Sequence, residues 1–198
     1  MPKKKQTKWG SIFITIFISL IMILSIFAII IGNDRNTNNK YNNFKFNIGY
    51  FPDTTIPYYE TRINKQNILF YNFPTEVENI NISQNIINLL KDSQFIITTF
   101  DPRQNTTDLQ NIDLITFDLQ KYLEKPIVRA VITEDKQYSL PVIDCSNATL
   151  VTPVLYFRIN LETKITQEGY CVVINAERND LGRIRDILLY RYYGVISG

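Results

Sequence analysis

The pattern of apolar and polar residues separates one apolar segment near the N-terminus from a longer mixed region. Trp9 to Ile31 holds 23 consecutive uncharged residues, mostly Ile, Phe and Leu. A helix rises about 1.5 Å per residue, so roughly 20 apolar residues cross a hydrocarbon core of about 30 Å. We therefore predict a transmembrane helix over residues 9–32, preceded by a short tail at residues 1–8.

The charges before this segment predict its orientation. Four lysines, Lys3, Lys4, Lys5 and Lys8, precede it without an acidic residue among them. Positive charge favours the cytoplasmic side, so the tail is predicted inside and the rest of the chain outside. A cleaved signal peptide is the alternative, but its apolar core is shorter and ends at a small-x-small site. The run here is longer and Ser25–Ile29 is a poor cleavage context, which favours a retained signal anchor.

The region after the anchor has the pattern of one folded domain. Residues 33–43 are polar and aperiodic, which predicts a flexible tether, and the domain is predicted over residues 44–198. Apolar residues alternate with polar ones in Phe44–Tyr50, as in a half-buried strand. Further strands are predicted at Asn67–Phe73, Gln94–Phe100, Ile127–Thr133, Ser139–Ile143, Val151–Ile159 and Tyr170–Ala176.

Three helices are predicted between and after these strands. The first follows a cap at Asn81, the second follows a capping box at Thr107, and the third covers Leu181–Tyr193. Strands and helices alternate between residues 67 and 133, with crossovers long enough for parallel pairing. The predicted fold class is α/β or α+β: the transmembrane helix followed by a small mixed sheet with about three helices.

The last helix has an apolar stripe that excludes its charged residues. Leu181, Ile184, Ile187, Leu188 and Tyr192 form the stripe, which is predicted to face the core. The charged residues Arg183, Arg185, Asp186 and Arg191 are predicted to lie largely outside it. The three arginines are predicted either to contact anionic lipid or a partner, or to form an ordinary solvated helix face.

Composition excludes several kinds of chemistry. The chain has no histidine, which excludes Ser-His-Asp and Cys-His catalysis and His-ligated zinc. Glycine-rich phosphate-binding motifs are absent as well. Without the four N-terminal lysines, the chain has 17 basic residues (21 − 4) and 19 acidic ones. Because it lacks the basic bias of nucleic-acid-binding proteins, no nucleic-acid partner is predicted. We predict no cofactor, no metal site and no assigned catalytic residue.

A ligand site is predicted where two strands end. Asp101, Arg103 and Asn105 follow one strand, and Glu134 follows the next. Ligands of open parallel sheets bind beyond the carboxyl ends of the strands. The simpler interpretation is an ordinary solvated turn. A third, that Asp101 and Glu134 form an acid and base pair for glycoside cleavage, needs their carboxyl groups to converge.

Two cysteines and three sequons are candidates for covalent modification. Cys145 and Cys171 are predicted to form a disulfide if the domain faces an oxidising exterior, with free buried thiols or a redox pair as alternatives. Asn81, Asn105 and Asn147 each begin an Asn-x-Ser/Thr sequon, a candidate glycosylation site on the outer side. Chance also produces sequons in a chain so rich in asparagine.

The C-terminal part carries a resemblance to a known group of proteins. Pro141–Thr149, Pro153–Phe157, Glu168–Cys171 and Asp186–Tyr190, followed by Gly194-Val195-Ile196, resemble uncharacterised single-pass membrane proteins of archaea with small genomes. The resemblance covers about the last 70 residues and the anchor-first layout. It implies an archaeal envelope setting and pairing of the two cysteines.

Two functions are predicted from these observations. The first is a membrane-anchored extracytoplasmic domain of an envelope protein, with the lipid bilayer and other envelope proteins as partners, which it binds or scaffolds. The alternative is an outward-facing hydrolase that uses carboxylates, which requires two acids with shifted pKa values in one pocket.

Overall fold

The N-terminal segment is helical. The computed structural model describes residues 9–32 and 39–197, with side chains in the first helix described for Trp9 and residues 13–26. This helix, α1, covers Trp9–Gly32. Among the described side chains, no helix is both long and apolar enough to cross a membrane. The membrane-spanning segment stays a prediction, and the predicted tail lies outside the described residues.

Residues from Asn39 onward form a separate compact unit that begins with an antiparallel sheet. Its strands are β1 (Asn39–Tyr41), β2 (Phe44–Tyr50), β3 (Pro57–Ile63) and β4 (Gln66–Phe70), paired in chain order. We predicted a tether through residue 43, but β1 pairs with β2, so the fold begins earlier. Residues 33–38 lie outside the described residues.

A second sheet follows and is mostly parallel. Its strands are β5 (Ile96–Phe100), β6 (Ile127–Val131), β7 (Val154–Ile159), β8 (Lys164–Glu168) and β9 (Cys171–Ala176). Their spatial order is β6-β5-β7-β9-β8, and only β8 runs antiparallel. The crossover through α4 (Thr106–Leu123) joins β5 and β6 in parallel, as predicted. The prediction of a single sheet is wrong, because the strand before the first crossover, β4, pairs in the antiparallel sheet and not with β5. The predicted strand at Ser139–Ile143 contributes only one bridge, between Val142 and Val131. The other helices of the domain are α2 (Pro74–Val77), α3 (Gln84–Asp92) and α5 (Leu181–Tyr192).

Helix α5 is the centre of the main hydrophobic core. Its Tyr190 ring stacks on Phe70 of the first sheet at 4.0 Å between centroids and meets the edge of Phe46. The same core contains the helix-facing residues Leu155 and Ile174 of the second sheet. All residues from Ile184 to Tyr190 are buried. The two sheets therefore share one core, with mixed α/β structure of the α+β type.

The solvated face predicted for α5 is wrong at its centre. Arg185 and Asp186 are completely buried. A helix that is covered on all sides has no solvent face for its charges. A single apolar stripe predicts that only one side of α5 packs against the domain, whereas the first sheet covers a second side.

The opposite face of the second sheet is covered by an irregular segment, residues 132–153. Ile143 and Cys145 of this segment pack on a small cluster that includes Val154 and Val173 of the sheet. Cys145 forms a disulfide with Cys171 of β9, with 5.2 Å between the Cα atoms. This confirms the predicted pairing, and it attaches the segment to the sheet.

Replacing both cysteines by serine should destabilise the fold. The bond closes a loop of sequence separation 26, and the chain-entropy model gives about 3–4 kcal/mol for such a loop. Urea unfolding of the full chain in detergent micelles, followed by near-ultraviolet circular dichroism, measures the change. Wild type treated with reductant is the matched control. An unchanged urea midpoint for the double-serine variant would show that the bond does not restrict the unfolded chain.

Candidate functional site

The predicted ligand residues lie at the carboxyl end of β5. Asp101 follows this strand, and its Oδ1 accepts hydrogen bonds from the backbone N–H and the Nε of Arg103, at 3.0 and 2.9 Å. Its Oδ2 accepts from Nη2 of Arg103 at 2.9 Å. The hydrogen bond from Arg103 lowers the pKa of Asp101. The carboxylate is therefore ionised at neutral pH and already bound by its neighbour.

Glu134 follows β6, the parallel neighbour of β5. The two strand ends are joined by a hydrogen bond from Ile132 N–H to the carbonyl of Phe100, at 3.0 Å. Glu134 lines a shallow surface pocket of about 380 Å³ with Asp135 and Lys136. Within the described part of the chain, no hydrogen bond or ion pair joins Glu134 to Asp101, and no group of three acids or cysteines is placed to hold a metal.

Asn105 has a structural role in this loop. Its side-chain oxygen accepts a hydrogen bond from the Thr107 N–H at 2.9 Å and caps α4. The sequence pattern predicts the cap of this helix at Thr107, but Asn105 is the cap. Its short side chain brings the amide oxygen within reach of a free N–H group in the first turn. The ligand loop therefore holds a satisfied ion pair and a helix cap.

All three sequon asparagines are exposed. The Asn147 side-chain oxygen accepts from the Asp144 N–H at 3.0 Å, and Asn105 caps α4. Asn81 precedes α3, whose cap is Ser83 instead of the predicted Asn81. Glycosylation of these residues stays a prediction.

A second surface pocket, of about 380 Å³, lies beside the start of α5. Asp180 lines it with Thr163 and Arg183. Thr163 donates to Asp180 at 2.5 Å, and Arg183 pairs with it at 2.9 Å. Burial raises the pKa of Asp180, but these two donors lower it overall. Asp180 is therefore bound by its neighbours Thr163 and Arg183 within this pocket.

The arginines at the ends of α5 bind backbone. Arg183 donates to the carbonyl of Glu76 at 2.9 Å, and Arg191 donates to the carbonyl of Ile82 at 2.9 Å. Both residues thus hold the segment that connects α2 to α3. This role competes with the predicted contact to lipid or a partner.

A buried ion-pair network in the core was not predicted. Nη1 of Arg185 donates to Oδ1 of Asp186 at 2.5 Å, and its Nε lies 3.4 Å from Oδ2 of Asp118 on α4. The guanidinium lies 4.8 Å from the ring centroid of Tyr71 and 5.0 Å from that of Tyr122. The positive charge is therefore surrounded by two carboxylates and by aromatic faces, which attract cations.

Asp186 joins α5 to the segment after β4. Its Oδ2 accepts from the backbone N–H groups of Tyr71 and Asn72 at 2.9 and 2.7 Å, and from the Asn72 amide at 2.9 Å. Burial raises the pKa of Asp186, whereas Arg185 and Asn72 act to lower it. The Tyr71 hydroxyl donates to Asp118 at 2.6 Å, which completes the network.

This network is structural in character. Arg185 and Asp186 have no exposed surface, so neither can reach a ligand while the domain is folded. The sequence carries no signal for it, because the partners in the segment after β4 lie more than 100 residues away along the chain.

Comparisons with protein families, with curated proteins and with solved structures found no match. The resemblance to single-pass archaeal membrane proteins therefore stays a prediction.

Breaking the buried ion pair should destabilise the domain strongly. Arg185→Met leaves Asp186 as an uncompensated buried charge, which typically costs about 3–5 kcal/mol. The matched control is Arg103→Met, which removes an exposed ion pair and should leave the urea midpoint close to that of wild type. Equal midpoints for both variants would contradict the structural role of the network.

Proposed function

We propose that the chain is a membrane-anchored extracytoplasmic domain of an envelope protein that binds or scaffolds other proteins. The anchor is supported by the uncharged sequence of α1, a helix of 24 residues, and by the lysines before it. Its described large apolar side chains are exposed, as expected for residues that face lipid. The disulfide supports the extracytoplasmic side, because such bonds persist in oxidising compartments.

The outer face of α4 is the surface that best supports protein binding. Leu114 and Phe117 lie one turn apart on this helix and are 52% and 63% exposed. An exposed aromatic beside an aliphatic residue is the kind of anchor that dominates protein interfaces. This pair is the single observation that carries the binding function.

Helix α4 is fixed in place by polar contacts with other parts of the domain. Asp118 on the inner side of α4 takes part in the buried network, and Asp108 near its start pairs with Arg178 at 3.1 Å. Asp113, next to Leu114, pairs with Arg129 of β6 and provides a polar rim. A rigid helix that presents apolar residues inside a polar rim loses little conformational entropy on binding.

The alternative, a carboxylate-based hydrolase, has no comparable support in the described part of the chain. It needs a carboxyl group whose pKa is raised toward neutrality in an open pocket. Asp101 has a lowered pKa and is bound by Arg103. Asp186 has a raised pKa but is completely buried.

Photocrosslinking tests the binding face. A benzophenone amino acid in place of Phe117 should give a discrete adduct with a neighbouring envelope protein in native membranes. The control is the same probe at Leu161, which is 92% exposed in the turn between β7 and β8. Equal adducts from both positions, or none from position 117, would contradict the proposal.

The contribution of Phe117 to binding is measured once the crosslinked partner is purified. Phe117→Ala should weaken the complex by about 10–30-fold, as expected for an interface anchor. Its unfolding midpoint should stay near that of wild type because the side chain is exposed. Unchanged affinity would exclude α4 as the binding face.

Membrane anchoring is tested by extraction and protease access. The full chain should stay in the membrane pellet after alkaline carbonate treatment, and protease added to intact cells should digest the domain. Release by carbonate would contradict the anchor. Complete protection of the domain in intact cells, with digestion after lysis, would reverse the predicted orientation.

A further inference from the structure

We propose that the outer edge of β8 pairs with the same edge of a second copy of this chain. In this dimer the two β8 strands run antiparallel about a twofold axis at Thr166, and the five-stranded sheets of the two copies join into one. The contact involves neither the anchor nor the α4 face.

β8 is the open edge of the five-stranded sheet. It pairs with β9 on its inner side only. At the opposite edge the end of β6 is covered, because Val131 donates to the carbonyl of Pro141 at 3.0 Å and accepts from the Ile143 N–H at 2.9 Å. An uncovered strand edge is a template for pairing with another chain.

The direction of the β9 backbone shows which groups of β8 are free. The carbonyl of Tyr170 accepts a hydrogen bond from β7 at 3.3 Å. Backbone groups alternate in direction along a strand, so the next residue, Cys171, faces β8 and its partner Glu168. Counting back from Glu168, the N–H and carbonyl groups of Ile165 and Gln167 point away from the sheet. Within the described part of the chain, these groups form no backbone hydrogen bond on that outer side.

The side chains of β8 are complementary to their own reverse order. Lys164 and Glu168 lie at the two ends of the strand, on the same face as Thr166 and two residues from it. In an antiparallel pair centred on Thr166, each Lys164 lies directly opposite Glu168 of the second copy, and such cross-strand charge pairs attract. Both side chains are exposed, and neither forms an ion pair among the residues that the structure describes.

The same register satisfies the backbone. Antiparallel strands exchange hydrogen bonds between residues whose N–H and carbonyl groups point at each other. With Thr166 at the centre, Ile165 lies opposite Gln167 of the second copy, and these are the residues whose backbone groups point outward. A lone charge on an edge strand opposes pairing, but here each charge meets its opposite. Charge and backbone geometry therefore select the same register and the same occupant.

The space next to this edge is open. A surface pocket of about 380 Å³ is lined by Lys164 and Ile165 of β8 and by Asn79 and Asn81 of the α2–α3 connection. A five-residue edge is small compared with the roughly 1,200 Å² of a stable interface. We therefore expect a reversible dimer whose population depends on concentration.

Disulfide trapping tests the register on the full chain in detergent micelles. Thr166→Cys adds one free thiol, because the native cysteines are bonded to each other. The two copies of position 166 face each other with about 4.5 Å between Cα atoms, so mild oxidation should give a covalent dimer. Lys164→Cys is the matched control on the same strand face, because its two copies lie about 13 Å apart along the strand, too far for a bond. Peptide mapping should place the bond between the two copies of position 166.

Charge reversal tests the ion pairs with little effect on the fold, because both side chains are exposed. Lys164→Glu and Glu168→Lys each place like charges opposite each other at both ends of the strand pair, and each should weaken the dimer by about 10-fold. An equimolar mixture of the two variants pairs unlike charges again and should restore the affinity of wild type. Sedimentation equilibrium in density-matched micelles measures the dissociation constants.

Three outcomes would overturn the proposal. The first is equal covalent dimer from Thr166→Cys and Lys164→Cys, or none from Thr166→Cys with the urea midpoint of wild type. The second is a dimer of unchanged affinity in both charge-reversal variants, which would place the contact on another surface. The third is a wild-type chain that stays monomeric at every concentration measured.

Discussion

The buried ion pair of Arg185 and Asp186 is the constraint on which the domain depends. Neither charge has access to water, so each needs partners inside the protein to offset its loss of hydration. Asp186 finds them in the segment after β4, and Arg185 finds Asp118 on α4 together with the faces of Tyr71 and Tyr122. The positions of the first sheet, α4 and α5 are therefore mutually fixed.

This arrangement determines which surfaces remain for function. α5 lies in the core, and the arginines at its ends are used to hold the α2–α3 connection. The ligand loop after β5 is occupied by its own ion pair and helix cap. Among the exposed large apolar side chains of the domain, Leu114 and Phe117 lie together on the outer face of α4.

The amino-acid sequence alone determined the features that depend on local pattern. It indicated the apolar run of α1, the alternation of β2 and the parallel pairing of β5 with β6, because each follows from spacing along a short segment. The cysteine pairing also followed from the sequence, but only as one of several alternatives. The strand β3 was missed, since its Pro57 and its charged residues Glu60 and Arg62 conceal the alternation.

Only the tertiary structure decided that α5 is buried and that its charged residues Arg185 and Asp186 are paired in the core. A helix with one apolar stripe predicts one packed side, whereas the first sheet covers another side of α5. Arg185 and Asp186 are stable in the core only because Tyr71, Asn72 and Asp118, remote along the chain, supply hydrogen bonds and charge. No local pattern encodes partners at such separations, so the interaction that organises the domain is made by two charges that the stripe pattern places outside the core.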